Sequence, residues 1–306
     1  MEESSFLSRR RNVTLLAILC CFLWGSATPV IKIGYEQWNV AGLPSLLLFA
    51  GIRFSFAGIL TILLGSLTEK RLLRPKKTSW GMVLRLCMFQ TVIQYICSYV
   101  GLQHVTAVKF SILCTTAYFL CMLLAAAFHQ ERLTGGKIMG CLVGFAGVVT
   151  VNFSPDAFSG GIQLLGEGMI FLNCTAYAIS SVLLKKYSRY EDPVTLSGYQ
   201  FLVGGLLLTV MGAVLGGQME AQSMLAFPVL GYLSALSAVA YSLWGLLLRH
   251  NPVSRVAIFG FLNPIVGVML SALLLHESRS VSWGQCLAAL AMVSTGIFII
   301  NRPSKT

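Results

Sequence analysis

Acidic side chains are missing from the interior of every long apolar stretch of this chain. Its eleven Asp and Glu residues, from Glu2, Glu3 and Glu36 through Glu131 and Glu167 to Glu220 and Glu277, fall in termini, in loops or at the margins of apolar runs. A proton-driven exporter of lipophilic cations needs an embedded carboxylate shared between proton and cargo, because only a buried anion offsets the desolvation of a bound cation. The sequence disfavours that mechanism. It also lacks a carboxylate pair for general acid–base work, a second histidine beside "HESRS" (276–280) to complete a zinc pair, any CxxC, and any GxxxxGK[ST] phosphate loop for an ATPase motor. No enzyme activity, no bound metal and no cofactor are expected.

What the chain has instead is apolar length. Of its 306 residues 56% are hydrophobic and 11% charged, a balance far from that of soluble domains. Apolar stretches of about 20 residues, enough to cross a hydrocarbon core, recur throughout and leave no room for a soluble domain. The net charge of +11 comes from basic residues in the short connections, where they act as topology signals rather than as a nucleic-acid surface. The expected partners are the lipid bilayer and a small-molecule substrate, with no nucleic acid; oligomeric state is left open. The nine cysteines sit inside apolar stretches and read as small buried hydrophobes. The start of the chain imitates a signal peptide, with Arg9, Arg10 and Arg11 before "VTLLAILCCFLWGSA". Its apolar pattern runs on past Pro29 and recurs later, so a retained helix is expected.

The hydropathy pattern predicts an all-α integral membrane protein with ten transmembrane helices, at 13–33, 45–67, 79–101, 107–128, 136–153, 165–185, 194–215, 227–248, 254–275 and 282–301. With a cytoplasmic N-terminus, the inner segments carry most of the Lys and Arg, including Lys70, Arg71, Arg74, Lys76, Lys77, Arg132, Lys137, Lys185, Lys186, Arg249 and Arg255. The outer margins keep only Lys32, Lys109 and Arg279. This asymmetry predicts a plasma-membrane protein with both termini in the cytoplasm.

Displacing the chain by 146 residues lays "LQHVTAVKFSILCTTAYFLCMLLAAAFHQE" on "LRHNPVSRVAIFGFLNPIVGVMLSALLLHE" and pairs His104 with His250, Lys109 with Arg255 and Glu131 with Glu277. With small insertions the register continues. "CFLWGSATPVIK" matches "CTAYAISSVLLK", and "GIRFSFAGIL" matches "GYQFLVGGLL", setting Arg53 on Gln200. Residues 1–153 and 154–306 are therefore read as two copies of five helices each. An odd number of spans inverts the second copy in the membrane, the architecture of secondary transporters with a midplane site between repeats.

"CFLWGSATPVIKIGY", "GIRFSFAGIL", "FHQERLTGGKIMGCLVGFAGV" and "FLNPIVGVMLSALLLHES" together resemble the EamA-type transporters of the drug/metabolite transporter superfamily over nearly the whole chain. The resemblance implies ten helices in two inverted units, a central cavity lined by the first four helices of each, and peripheral fifth and tenth helices. It also implies export of amino acids or other small metabolites. In some branches of the family the cargo is a drug, and a multidrug exporter is the competing reading. The chain departs from the pattern on the fourth helix, where Tyr118 replaces a frequent proline while its counterpart Pro264 is kept. Equal bending of the two halves is thus in question.

The expected cavity residues are polar or aromatic groups inside predicted helices: Trp24, Arg53, Gln90, Gln94, Tyr95, Tyr118, Asn173, Tyr177, Gln200, Tyr241, Trp244 and Asn263. Aromatic rings with polar edges suit a small amphipathic solute; the competing role is hydrogen bonding between helices. Arg53 would cost about 2.5–3.5 kcal/mol at a helix centre on insertion scales, as a structural pin, a cavity group or a substrate contact. Gly136, Gly140 and Gly144 form a small-residue ladder for helix packing or for a second protomer.

Overall fold

The computed structural model describes residues 6–105, 107–151, 163–274 and 283–301. Within them the chain is helical, as it must be where no water is present to satisfy backbone N–H and C=O groups. Eight helices are long and apolar enough to cross a membrane: α1 (Arg10–Gln37), α2 (Gly42–Thr68), α3 (Lys77–His104), α4 (Lys109–Ala127), α6 (Leu164–Tyr187), α7 (Pro193–Val214), α8 (Ala226–His250) and α9 (Val253–Ser271). The expected fifth and tenth segments are shorter apolar helices, α5 (Gly135–Val151) and α10 (Trp283–Ile300). Glu277, Arg279, Asn152 and the end of the expected fifth span lie outside the described residues. Starts are set locally. Asp192, for example, caps α7 by accepting from the Thr195 N–H at 2.8 Å, with Pro193 at the first helical position.

The helices pack in a pattern that survives exchange of the two halves. α1 packs on α8 and α9, and the counterpart α6 packs on α3 and α4; α2 packs on α7, and α5 on α10. The α2–α7 pair is antiparallel and held by glycines spaced seven residues apart in both helices. A Cβ on Gly51 would lie 2.3 Å from the Thr209 nitrogen, and one on Gly58 2.5 Å from that of Leu202. The mirror contacts are 2.3 Å from Gly205 to Ser55 and 2.5 Å from Gly212 to Leu48. Without side chains at these positions the backbones come into contact, which is how membrane helices associate when lipid is as apolar as leucine. The ladder on α5 works similarly within the chain: Gly140 faces Ile300 and Gly296 of α10 and Gly144 faces Phe261, whereas nothing lies near Gly136.

Besides α6, which opens with a π-helical turn at Leu164–Gly168, three central helices depart from regular α geometry. α3 contains a π-helical turn at Cys87–Ile93. α4 is interrupted at Thr115, between Ala107–Cys114 and Thr116–Ala127, and α9 carries a 3₁₀ turn at Ile258–Phe261, just before Pro264. Thr115 and Phe261 are repeat counterparts, so the halves break at the same level despite Tyr118 standing where a proline was expected. In α4 threonine hydroxyls add to the backbone bonding at the interruption, where the Ile112 carbonyl also accepts from the Thr115 N–H at 3.2 Å. The Thr115 hydroxyl donates to the Ile112 oxygen at 2.6 Å and the Thr116 hydroxyl to that of Leu113 at 2.7 Å.

Candidate functional site

Between the two four-helix groups lies a cavity of about 260 Å³. α1 lines it with Trp24, Ala27, Thr28 and Ile31, one stripe at helical spacing, and α4 with Phe110, Cys114, Ala117 and Tyr118. α2 contributes Arg53, α3 Gln94, Tyr95 and Ser98, α6 Asn173 and Tyr177, α8 Tyr241, and α9 Asn263. Toward the face that carries the N-terminus the bundle is filled by a packed core including Cys21, Met122, Leu247 and Phe259. The lining extends the other way, to Ile31, Ser98 and Phe110. A larger cleft of about 480 Å³ opens between α2 and α8 at the N-terminal face; it mixes leucines and valines with Glu69, Asp192, Arg249 and His250 at the ends of the helices, and the polar aromatic residues are absent.

Aromatic contacts fix the walls. Trp24 meets Tyr241 and Trp244 edge-on, with ring centres 5.0 and 4.9 Å apart; Phe54 packs on Tyr95 at 4.5 Å and stacks on Phe201 at 5.2 Å. The Tyr95 and Tyr241 hydroxyls are 3.2 Å apart. Asn263 donates from Nδ2 to the Tyr118 hydroxyl at 3.2 Å. Three buried polar atoms of lining residues have no partner among the described residues: the Trp24 indole N–H, Gln94 Oε1 and Asn263 Oδ1. Groups of this kind are expensive when left unsatisfied and are available to a bound solute.

Nine of the twelve residues expected at the cavity line it. Gln90, Gln200 and Trp244 do not. Gln90 is enclosed in the π turn of α3, and Gln200 is fully buried between α7 and α3, where its Oε1 accepts from the Thr91 hydroxyl at 2.7 Å. Trp244 stands behind Trp24 as part of the packed core. Their polarity is visible in sequence, but the side of the helix they occupy depends on packing. Thr28, Ser98 and Cys114 were overlooked, although each lies one helical turn from a predicted residue.

Arg53 is both pin and wall. It is buried, and its Nη2 donates to the Ser237 hydroxyl at 2.9 Å and its Nε to the Leu233 carbonyl at 3.4 Å, tying α2 to α8. The guanidinium lies 5.1 Å from the centre of the Phe54 ring and faces the cavity.

Below the cavity, toward the N-terminal face, polar groups bind helix ends both across the repeats and within the second. Glu131 pairs with Lys137 and accepts from the Ser254 N–H at 2.9 Å, capping the start of α9. Lys185 donates to the carbonyls of Leu248 and Asn251, and Gln130 Nε2 to that of Val182 at 3.0 Å. Glu131, at the end of its helix, thus has a basic neighbour in Lys137, and its carboxylate is largely buried. His104 stays at the surface, bonded to the Val100 carbonyl.

A bundle of apolar helices in two pseudo-symmetric groups around a polar aromatic cavity defines a multi-pass membrane transporter. The sequence profile of the EamA-like transporter family matches residues 12–153 and 164–302, and the chain belongs to that family. It is 27% identical to the uncharacterized transporter YvbV of Bacillus subtilis, over 98% of this chain and 94% of that one. The uncharacterized inner membrane transporter YedA of Escherichia coli is 26% identical over 90% and 89%. A WAT1-related chloroplastic protein of Arabidopsis thaliana is 23% identical over 92% of this chain and 67% of its own. A solved crystal structure shares the fold with a TM-score of 0.76 at 15% identity, over 94% of this chain and 97% of that one.

Proposed function

We propose that the protein exports a small amphipathic metabolite, an amino acid or a related solute, across the plasma membrane by alternating access. The observation that carries this reading is the cavity itself. It draws polar and aromatic groups from both repeats, and toward the N-terminal face it is closed by the core and the Glu131 and Lys185 contacts. With the basic connections in the cytoplasm, the closed side is the inner one, as in the outward-facing state of an alternating-access cycle. Exchange of the two repeats' conformations would seal the outer side and open the inner one. The inner-membrane description of YedA supports the same location.

Proteoliposomes preloaded with an unlabelled solute and offered its labelled form outside should accumulate label by counterflow for at least one member of a panel of amino acids and related metabolites. Folded protein that exchanges none of them, but protects cells against lipophilic cations, would return the assignment to a multidrug exporter.

A further inference from the structure

We infer that Arg53 is the docking group for an acidic moiety of the substrate, so that the site selects carboxylate-bearing solutes over their neutral or cationic analogues. This rests on the cavity being the solute site.

The two repeats contain the same helix-to-helix contact with different chemistry. In the first, Arg53 of α2 donates to Ser237 of α8; in the second, Gln200 of α7 accepts from Thr91 of α3. Arg53 and Gln200 are repeat counterparts, and so are Ser237 and Thr91, which differ by 146 positions. The contact that holds the helices is therefore made in one half by a neutral amide. A positive charge is more than the packing needs.

That extra charge is placed where a solute could meet it. Gln200 is fully buried away from the cavity, while Arg53 lines it. Among the described residues no carboxylate pairs with Arg53, and Glu36, Glu69, Glu131, Glu167, Glu191, Asp192 and Glu220 all lie at helix ends or in connections. Ser237 and Leu233 occupy two of its N–H groups, leaving the rest of the planar fork for a ligand. A fork of donors matches the two oxygens of a carboxylate, and partial exclusion of water strengthens that pairing. The unpartnered indole N–H of Trp24 adds another donor in the same cavity.

The test uses three probes with one apolar body: 3-phenylpropionate, phenylalanine and phenylalaninamide. Binding to the purified full-length protein is read from the shift of its melting curve with ligand concentration. The acid and the zwitterion should bind at least about tenfold more tightly than the amide, a difference of about 1.4 kcal/mol. In Arg53→Gln the acid and the zwitterion should lose more affinity than the amide, so that the preference vanishes; Arg53→Lys should keep its sign at reduced size. A purely structural arginine would weaken all three probes alike. Equal or tighter binding of the amide to the unaltered protein overturns the assignment, leaves the cavity as a solute site, and does not depend on any variant folding. A flat response to all three probes from protein that exchanges another solute by counterflow also overturns it alone. Flat responses in both experiments overturn the cavity reading as well.

Discussion

The hydroxyls of Tyr95 and Tyr241 stand 3.2 Å apart, and the two residues are separated by the same 146 positions that superpose one half of the chain on the other. A side chain bonded to its own repeat counterpart must lie on the axis that exchanges the repeats. Asn263 and Tyr118, one position out of that register at 145, make the next contact along it. The α2–α7 crossing, between Ser55–Gly205 and Gly58–Leu202, continues the same line. All of these positions are near the middles of their helices, so the axis crosses the bundle at mid-depth, as inverted repeats require.

If Tyr95 and Tyr241 mark that axis, their hydroxyls should be energetically coupled. Tyr95→Phe, Tyr241→Phe and the double variant, compared by thermal or denaturant unfolding, should give a coupling of about 0.5–1.5 kcal/mol. Additive losses would show that the contact contributes nothing by itself.

The α2–α7 crossing should tolerate no side chain. Gly205→Val sets its Cβ against the Ser55 backbone and should destabilise by about 1–3 kcal/mol or prevent insertion. Gly81→Ala, with nothing within 4 Å, is the control and should stay within about 0.5 kcal/mol of the parent. Yield of monodisperse protein and its melting temperature report both.

Glu131 is expected to hold the inner seal through Lys137 and the Ser254 N–H. Cys114 lines the cavity and is partly exposed, whereas the other eight cysteines are buried. A membrane-impermeant thiol reagent should therefore label Cys114 from the outside. Glu131→Gln should lower that labelling by shifting the outward–inward equilibrium about fivefold inward, a change of about 1 kcal/mol. Unchanged labelling would place the seal elsewhere.

Glu191, in the connection before α7, offers a pH test. Burial alone would raise its carboxyl, but hydrogen bonds from the Lys76 N–H, the Ser79 hydroxyl and the Asp192 N–H outweigh this and hold it below the usual carboxylate range. A lowered value stabilises the folded state above the unfolded-chain pKa, and the gain is lost as pH falls through the lower, folded value. Melting temperature should therefore drop between about pH 5 and pH 3, less so in Glu191→Gln.

Much of this was readable before any coordinates. Sustained apolar runs leave helix as the only way to satisfy the backbone in lipid, and self-similarity at 146 residues identified the repeats and their counterparts. Helix ends were less legible: α1 begins at Arg10 and continues to Gln37, and α3 extends to His104, because tertiary contacts carry helices past the apolar runs that predict them. Tyr118, where a proline is frequent, puts equal bending of the two halves in question. The helix is nonetheless interrupted at Thr115, where the Thr115 and Thr116 hydroxyls bond carbonyls of the preceding turn.

The sequence by itself determined the membrane class, the duplication and the chemical types that a central site could contain, since these follow from composition, period and register. Only the tertiary structure decided which polar residue faces the cavity and which faces a neighbouring helix. Arg53 and Gln200 occupy the same place in their repeats, yet one lines the cavity and the other is sealed behind Thr91. A helix turns its residues through every direction, and only the packing of its neighbours determines which of those directions is inside.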